Sequence, residues 1–198
     1  MLDHILFHAG TKLVEAIDKT ADENLPQELA DIVEFHAKGA TISSLSSAIP
    51  GVGAALSGLA SAGFIWTMYT RINKLLGLKL ADNILKTVAS GVVTNLAGYA
   101  VLNFAVGTVL SFIPGLGSVA TIALVGAAIY AVTMVSGIVY LKILTNVFNA
   151  GKDPATLSAE HLKSIASDVI SSMNIKKLLE DAKAEFKEKK ENGEFDEK

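Results

Sequence analysis

The sequence predicts an all-α protein: a helical membrane bundle built from two helix–IPGxG–helix hairpins and flanked by amphipathic helices. Three observations support this fold class. No charged residue occurs in the 55 positions from Thr87 to Leu141. The pentapeptide IPGxG occurs twice, as IPGVG at 49–53 and as IPGLG at 113–117. Most of the 37 charged residues lie before position 39 or after position 141.

The long uncharged run sets the predicted class. A helix needs about 20 apolar residues to cross a hydrocarbon core about 30 Å thick, so Thr87–Leu141 is long enough for two crossings and a turn. A second uncharged stretch, Gly39–Thr70, contains one segment of spanning length, Val52–Thr70. The alternative is a very hydrophobic hairpin buried inside a soluble helical bundle. The mean hydropathy of +0.43 is high for a soluble protein and favours the membrane.

The repeated pentapeptide predicts two helix-ending turns. Proline lacks the backbone N–H and disfavours helical geometry at the residue before it, and glycine permits positive φ and close backbone approach. The turns carry no charge, although a turn in water usually contains Asn, Asp or Ser, so we expect both bends to be buried in protein or lipid. The predicted turn residues are Pro50, Gly51, Gly53, Pro114, Gly115 and Gly117. The repeat indicates an internal duplication.

Three segments follow from this pattern. Residues 1–27 form an amphipathic N-terminal segment, 28–148 the apolar two-hairpin domain, and 149–198 a charged C-terminal helix with a disordered tail. We expect helices over 2–18, 26–48, 52–76, 80–112, 116–148 and 158–190. In the last helix, Glu185 and Lys189 have the i,i+4 spacing of an ion pair.

The charges between the hairpins predict the orientation of the bundle. The linker carries Arg71, Lys74, Lys79 and Lys86 against Asp82 alone. Short basic loops stay in the cytoplasm, so we place this linker and the C terminus there, at a bacterial cytoplasmic membrane. Whether the first hairpin spans or is re-entrant is left open. The N terminus has no secretory signal pattern, since an acid stands where a basic region belongs.

The order of these features resembles a known family. An IPG break, a small-residue helix, the basic stretch RINKLLGLKL and the segment SFIPGLGSVATIALVGAAIYAVTMVSG are similar to the bacterial YcjF-like domain family of unknown function, over about residues 28–148. The resemblance implies a membrane location and a small GTPase of the Era-like kind as partner, and it supplies no catalytic residue. This chain lacks the phosphate-binding motif GxxxxGK[ST], so we expect any GTP hydrolysis to belong to another polypeptide.

The sequence predicts no catalytic, cofactor-binding or metal site and no enzyme activity. There is no cysteine, and His4 and His8 have metal-compatible spacing without a third histidine or cysteine nearby. A solvated helix face explains these two histidines better. The bases are not gathered into a stripe with aromatic residues, and the net charge is −3, so nucleic-acid binding is not expected.

Polar and small residues inside the apolar helices predict helix packing. Asn95, Tyr99 and Asn103 are four apart and share one helix face, which favours interhelical hydrogen bonds over a hydrated path, because no acid or base lies on the line. Rows of small residues at 53, 57 and 61 and at 54, 58 and 62 predict close helix contacts within the chain or in a homo-oligomer.

Three functions are compatible with the sequence. The favoured one is a non-enzymatic membrane anchor or scaffold that binds a cytoplasmic partner, such as a small GTPase, with its charged ends. The second is a colicin-like pore former that inserts its uncharged hairpin into a bilayer. The third is a soluble helical interaction module.

Overall fold

The computed structural model describes residues 2–17, 24–46, 53–104 and 119–195 of the chain. Within these ranges the side chains at 45, 46, 53–62, 97, 101–104 and 119–123 are not described. Five of the six predicted turn residues therefore lie outside the described residues: Pro50, Gly51, Pro114, Gly115 and Gly117.

The described part of the chain is helical throughout and contains no strand, which confirms the all-α class. It forms seven α-helices and one short 3-10 turn at Pro154–Thr156. The α-helices are α1 (Leu2–Ile17), α2 (Leu25–Ser46), α3 (Gly53–Leu76), α4 (Asp82–Phe104), α5 (Val119–Asn149), α6 (Ala159–Ser172) and α7 (Ile175–Glu191).

Glycines end α3 and α5 in the same way. Gly77 has φ +71° and Gly151 has φ +66°, a conformation that other residues rarely adopt. After each glycine the next N–H donates back to a carbonyl of the last turn, from Leu78 to Asn73 at 2.8 Å and from Lys152 to Val147 at 3.1 Å. A glycine of positive φ followed by such a hydrogen bond is the Schellman motif. It satisfies carbonyls that a helix end would otherwise leave unpaired.

Helix α5 is the central element of the bundle. Each of the other six helices contacts it. Every residue from Ile129 to Leu141 is buried, so the helix is enclosed on all sides over that length. A helix that is apolar all round needs such cover in water, because each exposed apolar side chain loses about 1.5–3 kcal/mol relative to its buried state.

One stacked tyrosine pair and its two hydrogen bonds fix the position of α3 along α5. Tyr69 and Tyr140 stack with ring centroids 3.9 Å apart. The Tyr69 hydroxyl donates to the Ser136 carbonyl at 3.1 Å, and the Tyr140 hydroxyl donates to Oδ1 of Asn73 at 2.9 Å. All four residues are buried, and each hydroxyl has a partner, as buried polar groups require. The two helices therefore run in the same direction.

The predicted membrane bundle of two hairpins is not confirmed. Among the described helices, Leu124–Asn149 is the one segment with the length and composition of a membrane span. In this structure 83% of its apolar window is buried within the protein. Helix α5 is therefore a core helix that also has the length of a span, and the described residues supply no second span for a two-hairpin membrane bundle.

The C-terminal region differs from the prediction in two ways. The expected helix over 158–190 is two helices, because Met173 is extended and the Asn174 side chain caps α7 by accepting from the Lys177 N–H at 3.1 Å. The expected disordered tail is wrong up to Phe195, which is buried at 7% exposure beside Tyr130. Aromatic packing orders this turn.

A close approach of α2 to α5 at Gly137 gives the first testable prediction. A Cβ at Gly137 would lie 2.5 Å from Cγ1 of Val33, and Val33 is fully buried and unable to move away freely. We expect Gly137→Ala to lower the free energy of unfolding by about 1–3 kcal/mol, the usual cost of overpacking.

The matched control is Gly63→Ala in α3, where a Cβ would meet nothing within 4 Å. This change should raise stability by up to about 1 kcal/mol, the difference in helix propensity. Urea denaturation followed by circular dichroism measures both. Equal effects of the two substitutions would contradict the close approach of α2 to α5.

Candidate functional surface

The charge-free parts of α2, α3 and α4 begin close together in the bundle. Along the chain, the charge-free part starts after Lys38 in α2, ends before Arg71 in α3 and starts after Lys86 in α4. The folded chain brings these boundaries close together: the Arg71 guanidinium lies 4.9 Å from the Phe35 ring centroid, and the Lys86 ammonium lies 4.4 Å from the Trp66 ring centroid. Trp66 and Arg71 are five positions apart in α3, about 7.5 Å along its axis. Three helices thus change from charged to uncharged side by side.

We call Phe35, Trp66, Arg71 and Lys86 the boundary belt. Its aromatic members are at least partly accessible, since Phe35 is 62% exposed and Trp66 is half-buried. A cation over an aromatic face gains about 0.5–1 kcal/mol at an exposed site. That gain holds both positive charges at the rings, at the edge of the uncharged region.

Between and beyond the belt residues, α3 and α4 present a surface that we call the charge-free face. Its exposed or half-buried residues are Gly63, Thr67, Thr70, Ser90, Thr94, Asn95, Gly98 and Tyr99.

Several polar groups of the charge-free face bond to their own helices. Thr67 donates to the Gly63 carbonyl at 3.0 Å, Thr94 to the Ser90 carbonyl at 2.8 Å, and Thr70 to the Trp66 carbonyl at 3.0 Å. A hydroxyl that donates to a carbonyl of its own helix has no unpaired O–H group that would require water. These side chains can therefore lie against an apolar medium at low cost.

The predicted polar line has a different role from the expected one in the part that is described. The Asn95 amide donates to the Gly91 carbonyl of its own helix at 2.8 Å and not to another helix. Tyr99 is 41% exposed. The side chain of Asn103 is not among those that the structure describes. Asn95 and Tyr99 thus belong to the charge-free face, where they point away from the core.

The four basic residues of the linker are all exposed: Arg71, Lys74, Lys79 and Lys86. Arg71 and Lys86 belong to the belt, and the other two lie beyond it on the charged side. Gly53, the one turn glycine that is described, is the first residue of α3. The pairing of the linker bases with aromatic rings was not predicted, although an aromatic residue near each charge boundary is visible in the sequence.

The opposite side of α5 is covered by charged helices, chiefly α7. The Tyr130 hydroxyl of α5 donates to Oε1 of Glu185 at 2.7 Å. Phe186 lies 5.9 Å and Phe195 5.8 Å from the Tyr130 ring, measured between centroids. These contacts attach α7 and the turn after it to the central helix.

An ion-pair network attaches the same segment to α2. Lys189, with 14% of its side chain exposed, donates to Glu34 at 2.6 Å, and Lys38 pairs with both Glu34 and Glu194. The predicted pair of Lys189 with Glu185 is therefore replaced by a contact between helices 155 residues apart in sequence. We call Glu34, Lys38, Lys189 and Glu194 the C-terminal clasp.

The pKa values in this region shift in opposite directions. Burial raises the pKa of Glu185, and nearby Asp3 raises it further, although the Tyr130 hydrogen bond acts against this. Burial also acts to raise the pKa of Glu34, but the hydrogen bonds from Lys189 and Lys38 outweigh it and lower that pKa. Glu34 is therefore held as an anion, and the charge on Glu185 is disfavoured.

The histidines show no arrangement for metal binding. Among the residues that the structure describes, no group of three or more His, Cys, Asp or Glu side chains is placed to hold a metal ion. His4 and His8 are exposed on α1. His36 is buried, and its Nδ1 lies 2.7 Å from the Ile32 carbonyl of its own helix.

Comparisons of this chain with protein-family models, with curated proteins and with solved structures found no match. The resemblance to the YcjF-like family therefore stays a prediction.

The buried carboxyl of Glu185 gives a pH-dependent prediction. Because its pKa is raised in the folded protein, its contribution to stability is fully present below its unfolded pKa and is lost as the pH rises through the folded pKa. A glutamine does not titrate. We expect Glu185→Gln to become more favourable, relative to the wild type, as the pH rises from about 4 to about 7.

Denaturant unfolding at both pH values measures this difference. Glu180→Gln is the control, since the Glu180 side chain is 57% exposed on the same helix. The Glu185→Gln effect should change with pH by more than the Glu180→Gln effect does. A Glu185→Gln effect that is the same at both pH values would contradict the raised pKa.

Proposed function

We propose that this chain is a non-enzymatic membrane anchor or scaffold whose charge-free face contacts a bilayer. The observation that carries the proposal is the boundary belt, where the charged parts of α2, α3 and α4 end within about 7.5 Å of one another along the bundle. A soluble protein has no need to align such boundaries. At a bilayer the alignment separates the helix surfaces that meet hydrocarbon from those that meet water.

The chemistry of the belt and of the face fits this assignment. Tryptophan and basic residues favour the headgroup level of a bilayer, where a ring lies at the apolar edge and a cation meets water and phosphate. Deeper in a bilayer, polar groups need partners within the protein. Thr67, Thr70, Thr94 and Asn95 have such partners in their own helices.

The position of α7 supports one-sided contact rather than full insertion. Leu124 and Ala127 of α5 line one groove together with Lys183 and Lys187 of α7. If the bundle entered the bilayer end first, these lysines would reach hydrocarbon depth beside α5. A charge at the bilayer centre costs at least about 2.5–3.5 kcal/mol. We therefore propose that the packed bundle lies with its α3–α4 side on the membrane and its α7 side in water.

The partner of the scaffold is proposed from the resemblance alone. In the proposed orientation the charged helices α1, α6 and α7 face the cytoplasm of a bacterial cell. A small GTPase at the cytoplasmic membrane is the partner that the YcjF-like resemblance implies. Such a protein would bind the charged side of the bundle, away from the charge-free face.

A second candidate function is the colicin-like pore former, favoured by the cover around α5. Helix α5 has the length of a span, and the amphipathic helices α1 and α7 cover it. Separation of α7 would expose an uncharged surface that favours lipid over water. Leakage of dye from vesicles containing no partner protein would distinguish this candidate from the anchor. The soluble interaction module would instead stay monodisperse without detergent and bind no vesicles.

Flotation with phospholipid vesicles tests the membrane anchor. We expect the purified chain to float with the vesicles and to release no dye. Adding two charges to the charge-free face, with Thr67→Glu and Thr94→Glu, should weaken vesicle binding at least about tenfold, because each carboxylate must leave water.

The control carries the same added charge on another surface, as Ser167→Glu and Ser171→Glu on the exposed side of α6. It should bind vesicles nearly as the wild type does. A wild-type chain that fails to float with any vesicle would overturn the proposal, and equal loss of binding in both double variants would show that the charge-free face is not the contact.

A further inference from the structure

The linker bases have features of a site for anions. Arg71, Lys74, Lys79 and Lys86 are exposed, and none of them has an ion-pair partner within 4.0 Å among the described residues. Other lysines of the chain do form such pairs, as Lys38 and Lys189 do in the clasp. The sequence places one acid, Asp82, among the four bases. This surface therefore keeps an uncompensated positive charge.

Ring contacts hold two of these charges in fixed positions. The guanidinium of Arg71 lies over Phe35 and the ammonium of Lys86 lies over Trp66, at 4.9 Å and 4.4 Å from the ring centroids. A cation on an aromatic face still has N–H groups directed away from the ring, where they can donate to an oxyanion. Holding the side chains in advance reduces the entropy lost when an anion binds.

Trp66 forms the aromatic edge of the belt. Its ring lies under the Lys86 ammonium, and its indole Nε1 is enclosed within the protein and does not face an outside ligand. The residues of the neighbouring charge-free face carry no charge themselves, and the Lys163 side chain of α6 lies against Gly91 of α4. A molecule that combines an anionic head with apolar tails matches this arrangement of cations, rings and uncharged helix surface.

We propose that the boundary belt, with Lys74 and Lys79 beside it, binds the phosphate headgroups of anionic phospholipids. This inference rests on the proposed membrane contact and adds the class of lipid. The phosphate oxygens accept from Arg71 and Lys86, and the acyl chains lie against Thr67 and Thr94. The phosphate belongs to a membrane lipid and not to a free anion, because an uncharged surface, whose threonine hydroxyls bond to their own helices, continues beyond the cations.

The test measures binding of the full chain to two kinds of vesicle. One contains phosphatidylcholine alone, and in the other roughly one third of the lipid is phosphatidylglycerol, which supplies an anionic surface. We expect markedly tighter binding to the second. Removing two charges with Arg71→Gln and Lys86→Gln should reduce that binding roughly 25-fold, about fivefold for each charge near an anionic surface.

Two control variants distinguish the effect of the belt residues on vesicle binding from the effect of net charge alone. Lys152→Gln with Lys177→Gln removes two exposed lysines that have no ring contact and should change binding less than about twofold. Arg71→Lys with Lys86→Arg keeps both charges over their rings and should retain most of the binding. Circular dichroism confirms that each variant is folded.

The outcomes distinguish this inference from the proposed function. Equal binding to both vesicles would overturn the anionic-lipid site and leave the membrane anchor standing, whereas binding to neither would overturn both. Equal losses in the two glutamine variants would also reject the belt as the site. Release of the protein from vesicles by inorganic phosphate, beyond that caused by chloride at equal ionic strength, would show a free phosphate site instead.

Discussion

Coverage of the apolar helix α5 is the constraint on which the rest of the structure depends. No residue from Val119 to Leu141 can present a charge to water, and every residue from Ile129 to Leu141 is buried. Six helices pack around it because a helix that is apolar on all sides loses free energy on every side that meets water. The two sides of that cover are chemically different, and this difference supports the proposed function.

One side of the cover consists of charged amphipathic helices, and the other is formed by the charge-free parts of α3 and α4. On the charged side, α7 is attached by the Tyr130–Glu185 hydrogen bond, the aromatic contacts of Phe195 and the ion pairs of the C-terminal clasp. On the other side, α3 and α4 present threonines that bond to their own helices. The protein thus has a surface suited to water and a surface suited to an apolar medium, with α5 between them.

Much of the fold follows from local signals in the sequence. The predicted ends of the helices over 52–76 and 116–148 lie within one residue of the observed ends of α3 and α5, where Gly77 and Gly151 have positive φ and let the last turn close on its own carbonyls. The sequence pattern predicts one helix across Asn174, although asparagine is a good N-cap and caps α7 in the structure. The burial of Phe195, within the predicted tail, depends on contact with Tyr130, which is far away in sequence.

The environment of α5 and the belt needed information that local patterns lack. Hydropathy is the same for a helix in lipid and for a helix in a protein core, so composition alone did not predict which of the two covers α5. The contact that attaches α7 joins Lys189 to Glu34 over 155 positions. Each charge boundary can be read in the sequence, but their alignment depends on the register of α2, α3 and α4, which is set by packing on α5.

Depth measurement by electron paramagnetic resonance tests the two-sided account most directly. The chain has no cysteine, so single cysteines can carry a nitroxide at Thr67 and Thr94 on the charge-free face, and at Lys142 and Lys177 on charged parts of the surface. On vesicles, labels at the first two positions should collide with oxygen more than with a water-soluble nickel complex, and labels at the last two should show the reverse. If the labels at Thr67 and Thr94 stay exposed to water on the vesicle-bound protein, the charge-free face does not contact lipid.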